Sequence, residues 1–261
     1  MANNLKQYEY YRTKNGVLYC ADCLTIMPQL EPVDLVLADP PFGTTACSWD
    51  IIIPFKPMWA QLNRIIKING AIVLSASQPF TSALISSNVE MFRYCWVWES
   101  NNAANFAQAP YMPLKYCEDV AVFSFATIAA NSKNRMIYNP QGIISCDKIC
   151  SGSKANDHRP NRADQKSYSQ TKTGYPSQIL KFNKPSNRVH PTQKPVELMK
   201  YFIQTYTDVG DTVLDFAIGS GTTAVACEEL NRKWIGIELS EKYCEIAAKR
   251  LEQETSQLKL F

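Results

Sequence analysis

The sequence predicts an α/β fold: a Rossmann-like, mostly parallel sheet with helices on both faces and one inserted segment. Three observations predict it. Short apolar stretches of strand length alternate with stretches whose apolar residues recur at helical spacing. One of those strands opens into a helix through a tight glycine turn, as nucleoside-binding sheets do. That turn lies late in the chain, with only twenty-three residues after Glu238. The other strands must then come from upstream, which makes the expected sheet circularly permuted.

In chain order, Gly16–Cys20 reads as a short strand. Val33–Ala38 reads as a buried one, because a parallel strand covered on both faces is apolar almost throughout. Apolar residues at helical spacing run through Met58–Ile66, and Asn69-Gly70 reads as the stop that closes this helix. Ala71–Ser75 is again apolar and strand-like, Phe80–Ser87 fits a helix, and Phe92–Trp98 and Val120–Ser124 fit strands. From Ile128 to Val189 polar residues dominate and periodicity vanishes, with only Gln178–Phe182 strand-like. Order returns at Pro195, a first-turn proline, ahead of an amphipathic helix over Val196–Tyr206. A strand (Thr212–Phe216), a helix (Thr222–Leu230), a strand (Trp234–Glu238) and a last helix (Lys242–Leu251) follow. The expected divisions are 1–127, an insertion at 128–189, and 190–261. No internal repeat is present.

Composition excludes several classes. A hydrophobic share of 46% with 20% charged residues is that of a folded globular protein, which removes disorder and fibrous architectures. Apolar runs such as Val33–Ala38 are too short to cross a bilayer, and Met1–Arg12 lacks the apolar centre of a signal peptide. A cytoplasmic location with no membrane partner is expected. Nine scattered cysteines and only two histidines, His158 and His190, give no metal-ligand spacing, so reduced thiols and no metal site are expected.

The net charge of +3 hides an asymmetry. Lys133 to Arg188 holds eleven basic residues against three acids, a balance of +8, while the remainder holds sixteen against twenty-one. Such a segment on a mildly acidic body suits a polyanion, although a charge run can equally be a solvated face.

Two motifs carry chemistry. Val213 to Gly221 is a strand entering a Gly219-x-Gly221 turn, whose backbone can approach a ligand closely while the next helix offers free N–H groups. Glu238 ends the following strand, where a carboxylate can accept both hydroxyls of a ribose. The turn also satisfies a dinucleotide pattern, so an NAD oxidoreductase is a reading from another class. No Gly-Lys-Ser/Thr ending is present, which argues against a nucleoside triphosphate. The second motif, Asp39-Pro40-Pro41-Phe42, follows a buried strand. Its two prolines form a rigid elbow bearing a carboxylate, carbonyls without competing N–H groups, and an aromatic ring.

Together these residues resemble the beta-class DNA amino-methyltransferases, the adenine-N6 and cytosine-N4 family. Tyr19-Cys-Ala-Asp22-Cys23-Leu and His190-Pro-Thr-Gln-Lys194-Pro195 match further family segments in the same order. The likeness spans roughly 17–125 and 190–251. It implies S-adenosyl-L-methionine as cofactor and methyl transfer to an exocyclic amine of a base flipped out of double-stranded DNA. Asp39, Pro40, Pro41 and Phe42 would be catalytic, with Asp39 also at the cofactor. Asp22 and Cys23 would meet the cofactor's adenine. Gly219, Ser220 and Gly221, with Thr192 and Lys194, would hold its methionine part and Glu238 its ribose, and Gln193, Asp215, Phe216 and Thr222 would also bind it. The basic insertion occupies the place of a target-recognition region, with Arg135, Lys154, Arg159, Arg162, Lys166, Lys172 and Arg188 as DNA contacts. Asp at the head of the tetrapeptide goes mainly with adenine N6 in this family; cytosine N4, an RNA target and an inactive DNA-binding module are the alternatives. A homodimer and a cognate restriction endonuclease are partners the family allows and the sequence leaves open.

Overall fold

The computed structural model describes residues 4–45, 47, 49–129, 131–151, 167–186, 189 and 193–258. Two units separate by their internal contacts, Met1–Asn139 with Gln178–Phe261, and Pro140–Ser177.

The larger unit opens with strands β1 (Glu9–Arg12), β2 (Gly16–Cys20) and β3 (Val33–Ala38), with the short helix α1 (Cys23–Ile26) between the last two. Helix α2 (Phe55–Ile65), β4 (Ile66–Ala76), α3 (Phe80–Ser86), β5 (Phe92–Glu99) and β6 (Cys117–Phe123) follow. The smaller unit contributes β7 (Ile144–Cys150) and β8 (Tyr168–Thr173). The larger unit resumes with β9 (Ile179–Lys181), α4 (Val196–Tyr206), β10 (Thr212–Asp215), α5 (Thr222–Glu229), β11 (Lys233–Glu238) and α6 (Glu241–Leu258).

Among the described residues the larger unit forms a nine-stranded sheet in the order β1-β2-β11-β10-β3-β4-β6-β5-β9. Strands β2, β11, β10, β3 and β4 run parallel, and the antiparallel pairings are β1 with β2, β4 with β6, and β5 with β6. All six residues of β3 are buried. Leu35 and Leu37 join the layer of α4, α5 and α6, whereas Val36 and Ala38 join that of α2 and α3. Burial on both faces is why the sequence there is apolar at nearly every position. Asp34, the exception, is paired at 2.6 Å with Lys67 and accepts from the Thr212 amide at 3.0 Å.

One expectation is corrected. Asn69-Gly70 does not close α2, which ends at Ile65; both residues lie inside β4. The pairing of β3 with β4 slips between Val33 opposite Ile66 and Leu35 opposite Ala71. A Cβ on Gly70 would stand 2.6 Å from the Asp34 carbonyl oxygen. The glycine therefore serves a close backbone approach at a strand irregularity rather than a helix end.

Residues 128–139 and 178–189, which the sequence reading groups with the insertion, fall with the larger unit where they are described, and β9 pairs with β5. In the smaller unit β7 and β8 form an antiparallel ribbon, and none of its described residues is buried. Among the described residues no helix is long and apolar enough to cross a membrane.

From β10 the chain returns through α5 to β11 on one side, and from β3 through α2 to β4 on the other. Opposite turns from neighbouring strands open a crevice at their carboxyl ends, the position at which open α/β sheets hold ligands.

Candidate active site

A cleft of about 860 Å³ occupies that crevice. Its walls include Asp22, Cys23, Asp39 to Phe42, Gln193, Lys194, Asp215, Phe216, Gly219, Ser220, Thr222 and Glu238, so the two sequence motifs meet in one cavity.

On the β10 side the glycine turn is braced from within. Asp215 accepts from the Thr223 hydroxyl at 2.6 Å and the Ala217 amide at 3.1 Å. Glu238 accepts from the Gly219 amide at 2.9 Å and the Ser240 amide at 2.8 Å. Gly219 and Gly221 adopt φ of +52° and +81°, a region that disfavours a side chain. Gly221 does not line the cleft; its Cα face packs on Ala247 of α6. Arg250 of α6 donates to the Ser220 carbonyl at 2.8 Å and the Thr222 hydroxyl at 3.1 Å. Burial pushes Asp215 up to about 7, despite its hydrogen bonds and reinforced by the charges of Asp39 and Glu238. Burial likewise raises Glu238.

On the β3 side Asp39 leaves the strand end with 24% of its side chain open. Its Oδ2 accepts from Lys194 Nζ at 2.7 Å, whereas Oδ1 is buried and has no hydrogen-bond partner among the described residues. Burial raises the Asp39 carboxyl and the neighbouring Glu118 adds to this, against Lys194, whose cation lowers it. Phe42 stacks on Phe80 with centroids 5.1 Å apart. The loop beyond is tied by Asp50, which accepts from the Gly43, Thr44 and Thr45 amides at 2.7–2.9 Å. Burial opposes ionisation of Asp50, but those amides and the Thr45 side chain outweigh it and hold the carboxyl low.

Other expected site residues sit as follows. Asp22 is exposed and caps α1 by accepting from the Leu24 amide at 2.7 Å. Cys23 is buried, and its thiol is pushed up to about 12 by desolvation. Gln193 accepts from the Val189 amide at 3.0 Å. Lys194 reaches Asp39 and also Glu118, 3.1 Å away. Arg135 and Lys172 are exposed, and neither lines the cleft. Thr192, Lys154, Arg159, Arg162, Lys166 and Arg188 lie outside the described residues. The sequence reading missed Glu118, Trp98 as a cleft wall, and Tyr243. Among the described residues no group of three or more metal-ligating side chains occurs, and all nine cysteines are free.

An open α/β sheet with a glycine turn and a proline-stiffened carboxylate facing each other at its switch point defines a cleft enzyme of the nucleotide-binding α/β class. Residues 33–249 match the N6_N4_Mtase family, and the chain belongs to this family of DNA methylases. The chain is 29% identical to the type II methyltransferase M2.DpnII of Streptococcus pneumoniae over 94% of its length and 92% of that protein's. It is 26% identical to the DNA adenine methyltransferase YhdJ of Escherichia coli (strain K12), over 85% and 77% of the two chains. In fold it resembles the PvuII DNA methyltransferase (cytosine-N4-specific), with a TM-score of 0.70, 17% identity and coverage of 97% and 94%. The chain is thus a DNA amino-methyltransferase.

Proposed function

We propose that the chain transfers the methyl group of S-adenosylmethionine to the N6 amino group of adenine flipped out of double-stranded DNA. The observation that carries the reading is the Asp39 carboxylate on a rigid Asp-Pro-Pro-Phe elbow that lines one cleft with the glycine turn, its Oδ1 without a hydrogen-bond partner among the described residues. A buried acceptor of this kind is costly unless something donates to it, and an exocyclic amine does so.

The residues fit the cofactor. Nothing lies within 4 Å of where a Cβ on Gly219 would stand, which leaves the turn open to a ligand. Glu238 would hold the ribose, Asp22 the adenine amino group, and the turn with Gln193 the methionine part. The bound cofactor supplies an electrophilic sulfonium methyl. Asp39 Oδ1 accepts one N–H of the target amine and the Pro40 carbonyl the other, drawing the nitrogen toward tetrahedral geometry and freeing its lone pair. Two prolines fix that geometry in advance, so the elbow contributes mainly orientation. Phe42, held against Phe80, gives the base an aromatic surface. The amine proton leaves only after methylation makes it acidic.

Adenine is preferred over cytosine N4 because Asp heads the tetrapeptide. The insertion 128–189, with its +8 core, is assigned to DNA recognition. Tritiated methyl transfer to unmethylated DNA, with mass spectrometry of the released nucleosides, tests substrate and base together. Asp39→Ala is expected to lower kcat by at least about 10²-fold while leaving cofactor affinity nearly unchanged. Near-native turnover of Asp39→Ala, or calorimetric binding of NAD but not of S-adenosylmethionine, overturns the reading.

A further inference from the structure

Lys194 has 8% of its side chain exposed, and its ammonium stands between two carboxylates, Asp39 Oδ2 at 2.7 Å and Glu118 Oε2 at 3.1 Å. Three separate stretches meet there: the residue just past β3, the second residue of β6, and the residue before Pro195. The rings of Phe42 and Trp98 flank the ammonium at 5.8 and 5.9 Å from their centroids, and Trp98 pairs in register with Glu118 across β5 and β6. This differs from the family resemblance, which would place Lys194 on the methionine part of the cofactor.

We infer that Glu118 is a positioning residue for methyl transfer, acting through Lys194 to keep Asp39 a strong acceptor. The inference rests on the reading of Asp39 as acceptor of the amine. A buried ammonium on Asp39 alone would concentrate its charge on that carboxylate, lowering its basicity and weakening its hold on a neutral N–H. With Glu118 present the cation is shared and the trio keeps one net negative charge. Lys194 still occupies Oδ2, so the oxygen left for substrate is Oδ1. Lys194 and Glu118 act on Asp39 by charge, the Ser75 hydroxyl of β4 lowers its carboxyl as a hydrogen-bonding neighbour, and Asp215 of β10 feels its charge.

The arrangement makes a prediction of opposite signs. Glu118→Gln removes a negative neighbour of Asp39, so its carboxyl should titrate at lower pH than in the wild type. Lys194→Met removes the cation and should move the same titration to higher pH, and Lys194→Arg should hold it near the wild-type position. Carbon-13 NMR of the full chain labelled at Asp carboxyl carbons, with the Asp39 signal assigned by Asp39→Asn, reads this without cofactor or DNA. In methyl transfer, the acid limb of the kcat profile should shift in the same two directions. Plateau kcat of Glu118→Gln should fall by roughly tenfold or more, with the KM for S-adenosylmethionine within about twofold. Thermal melting establishes that each variant is folded; if Glu118→Gln is not, the Lys194 pair carries the titration test. An Asp39 titration unmoved in the variants, or moved the same way in both, overturns the inference, as does a change confined to the cofactor KM. A wild-type chain that transfers no methyl group to DNA sinks the functional reading instead, while the titration still decides whether the trio is coupled as described.

Discussion

Asp39 and Asp215 end neighbouring strands of one cleft, yet their environments give them different work. Among the described residues Asp39 keeps an oxygen without a hydrogen-bond partner, whereas both oxygens of Asp215 are occupied by Thr223 and Ala217 and its residue is 4% exposed. With burial raising it to about 7, Asp215 binds a proton in the folded state across a range where the unfolded chain has released it. Its contribution to stability is therefore present below about pH 4 and is lost as pH rises through about 7, at up to about 1.4 kcal/mol per pH unit in between. Asp215→Asn can keep both hydrogen bonds, since its carbonyl accepts from Ala217 and its amide donates to Thr223. Urea denaturation between pH 4 and 8 should show a smaller loss of stability with rising pH in Asp215→Asn than in the wild type, and an unchanged slope refutes the assignment. Residues of this cleft were legible in the sequence where chemistry is local: the Asp39 elbow and the Gly219 turn announce themselves within a few positions. Glu118 was not, because its meaning depends on a lysine and an aspartate brought to it by two other elements. Lys194 was read as a cofactor residue for the same reason, its short motif giving no sign of the carboxylates waiting on β3 and β6.

At the scale of elements, the turn between β10 and α5 separates two effects of a glycine. Gly221 has φ of +81°, and a Cβ there would lie 3.0 Å from Ala247 Cβ. Gly219 has φ of +52° with open space beside it. Alanine at either position carries a backbone cost of about 1–2 kcal/mol, and only at 221 is crowding against α6 added. Gly221→Ala should therefore lower the urea midpoint more than Gly219→Ala does; equal losses would mean that α6 yields without cost. Elements buried on both faces were readable, with β2 and β3 predicted to the residue and β10 and β11 within one. The edge strand β1 was not, because Glu9-Tyr-Tyr-Arg12 alternates between half-buried and exposed and carries no apolar run. Strands β7 and β8 escaped for a related reason: with no buried face there is no alternation to read. Asn69-Gly70 misled because the same dipeptide that stops a helix also permits a strand to pass close to its neighbour.

Across the whole molecule the order of motifs, tetrapeptide first and glycine turn late, was enough to require a permuted sheet, and the parallel run β2-β11-β10-β3-β4 bears it out by interleaving early and late strands. Charge is the other property of this scale. The stretch Lys133–Arg188 holds a balance of +8 while the rest of the chain is at −5. If the assignment of the insertion to DNA recognition holds, its lysines neutralise phosphates, and each such contact contributes about 0.9 to the slope of log affinity against log salt. Lys172 stands exposed on β8, and Lys154 and Lys166 lie in the same basic stretch, outside the described residues. Changing all three to glutamine should weaken binding to duplex DNA of any sequence and flatten the salt slope by up to about 3, as read by fluorescence anisotropy at several salt concentrations. S-adenosylmethionine affinity measured by calorimetry without DNA should stay at its wild-type value, because the cofactor site is assigned to residues outside this basic stretch. Arginine substitutions in the same stretch should behave differently wherever a guanidinium reaches a base edge, relaxing sequence preference at fixed salt slope rather than lowering affinity uniformly. A triple lysine variant with unchanged DNA affinity and unchanged salt slope would leave the positive charge as that of a solvated surface and remove the electrostatic ground for placing DNA on the insertion.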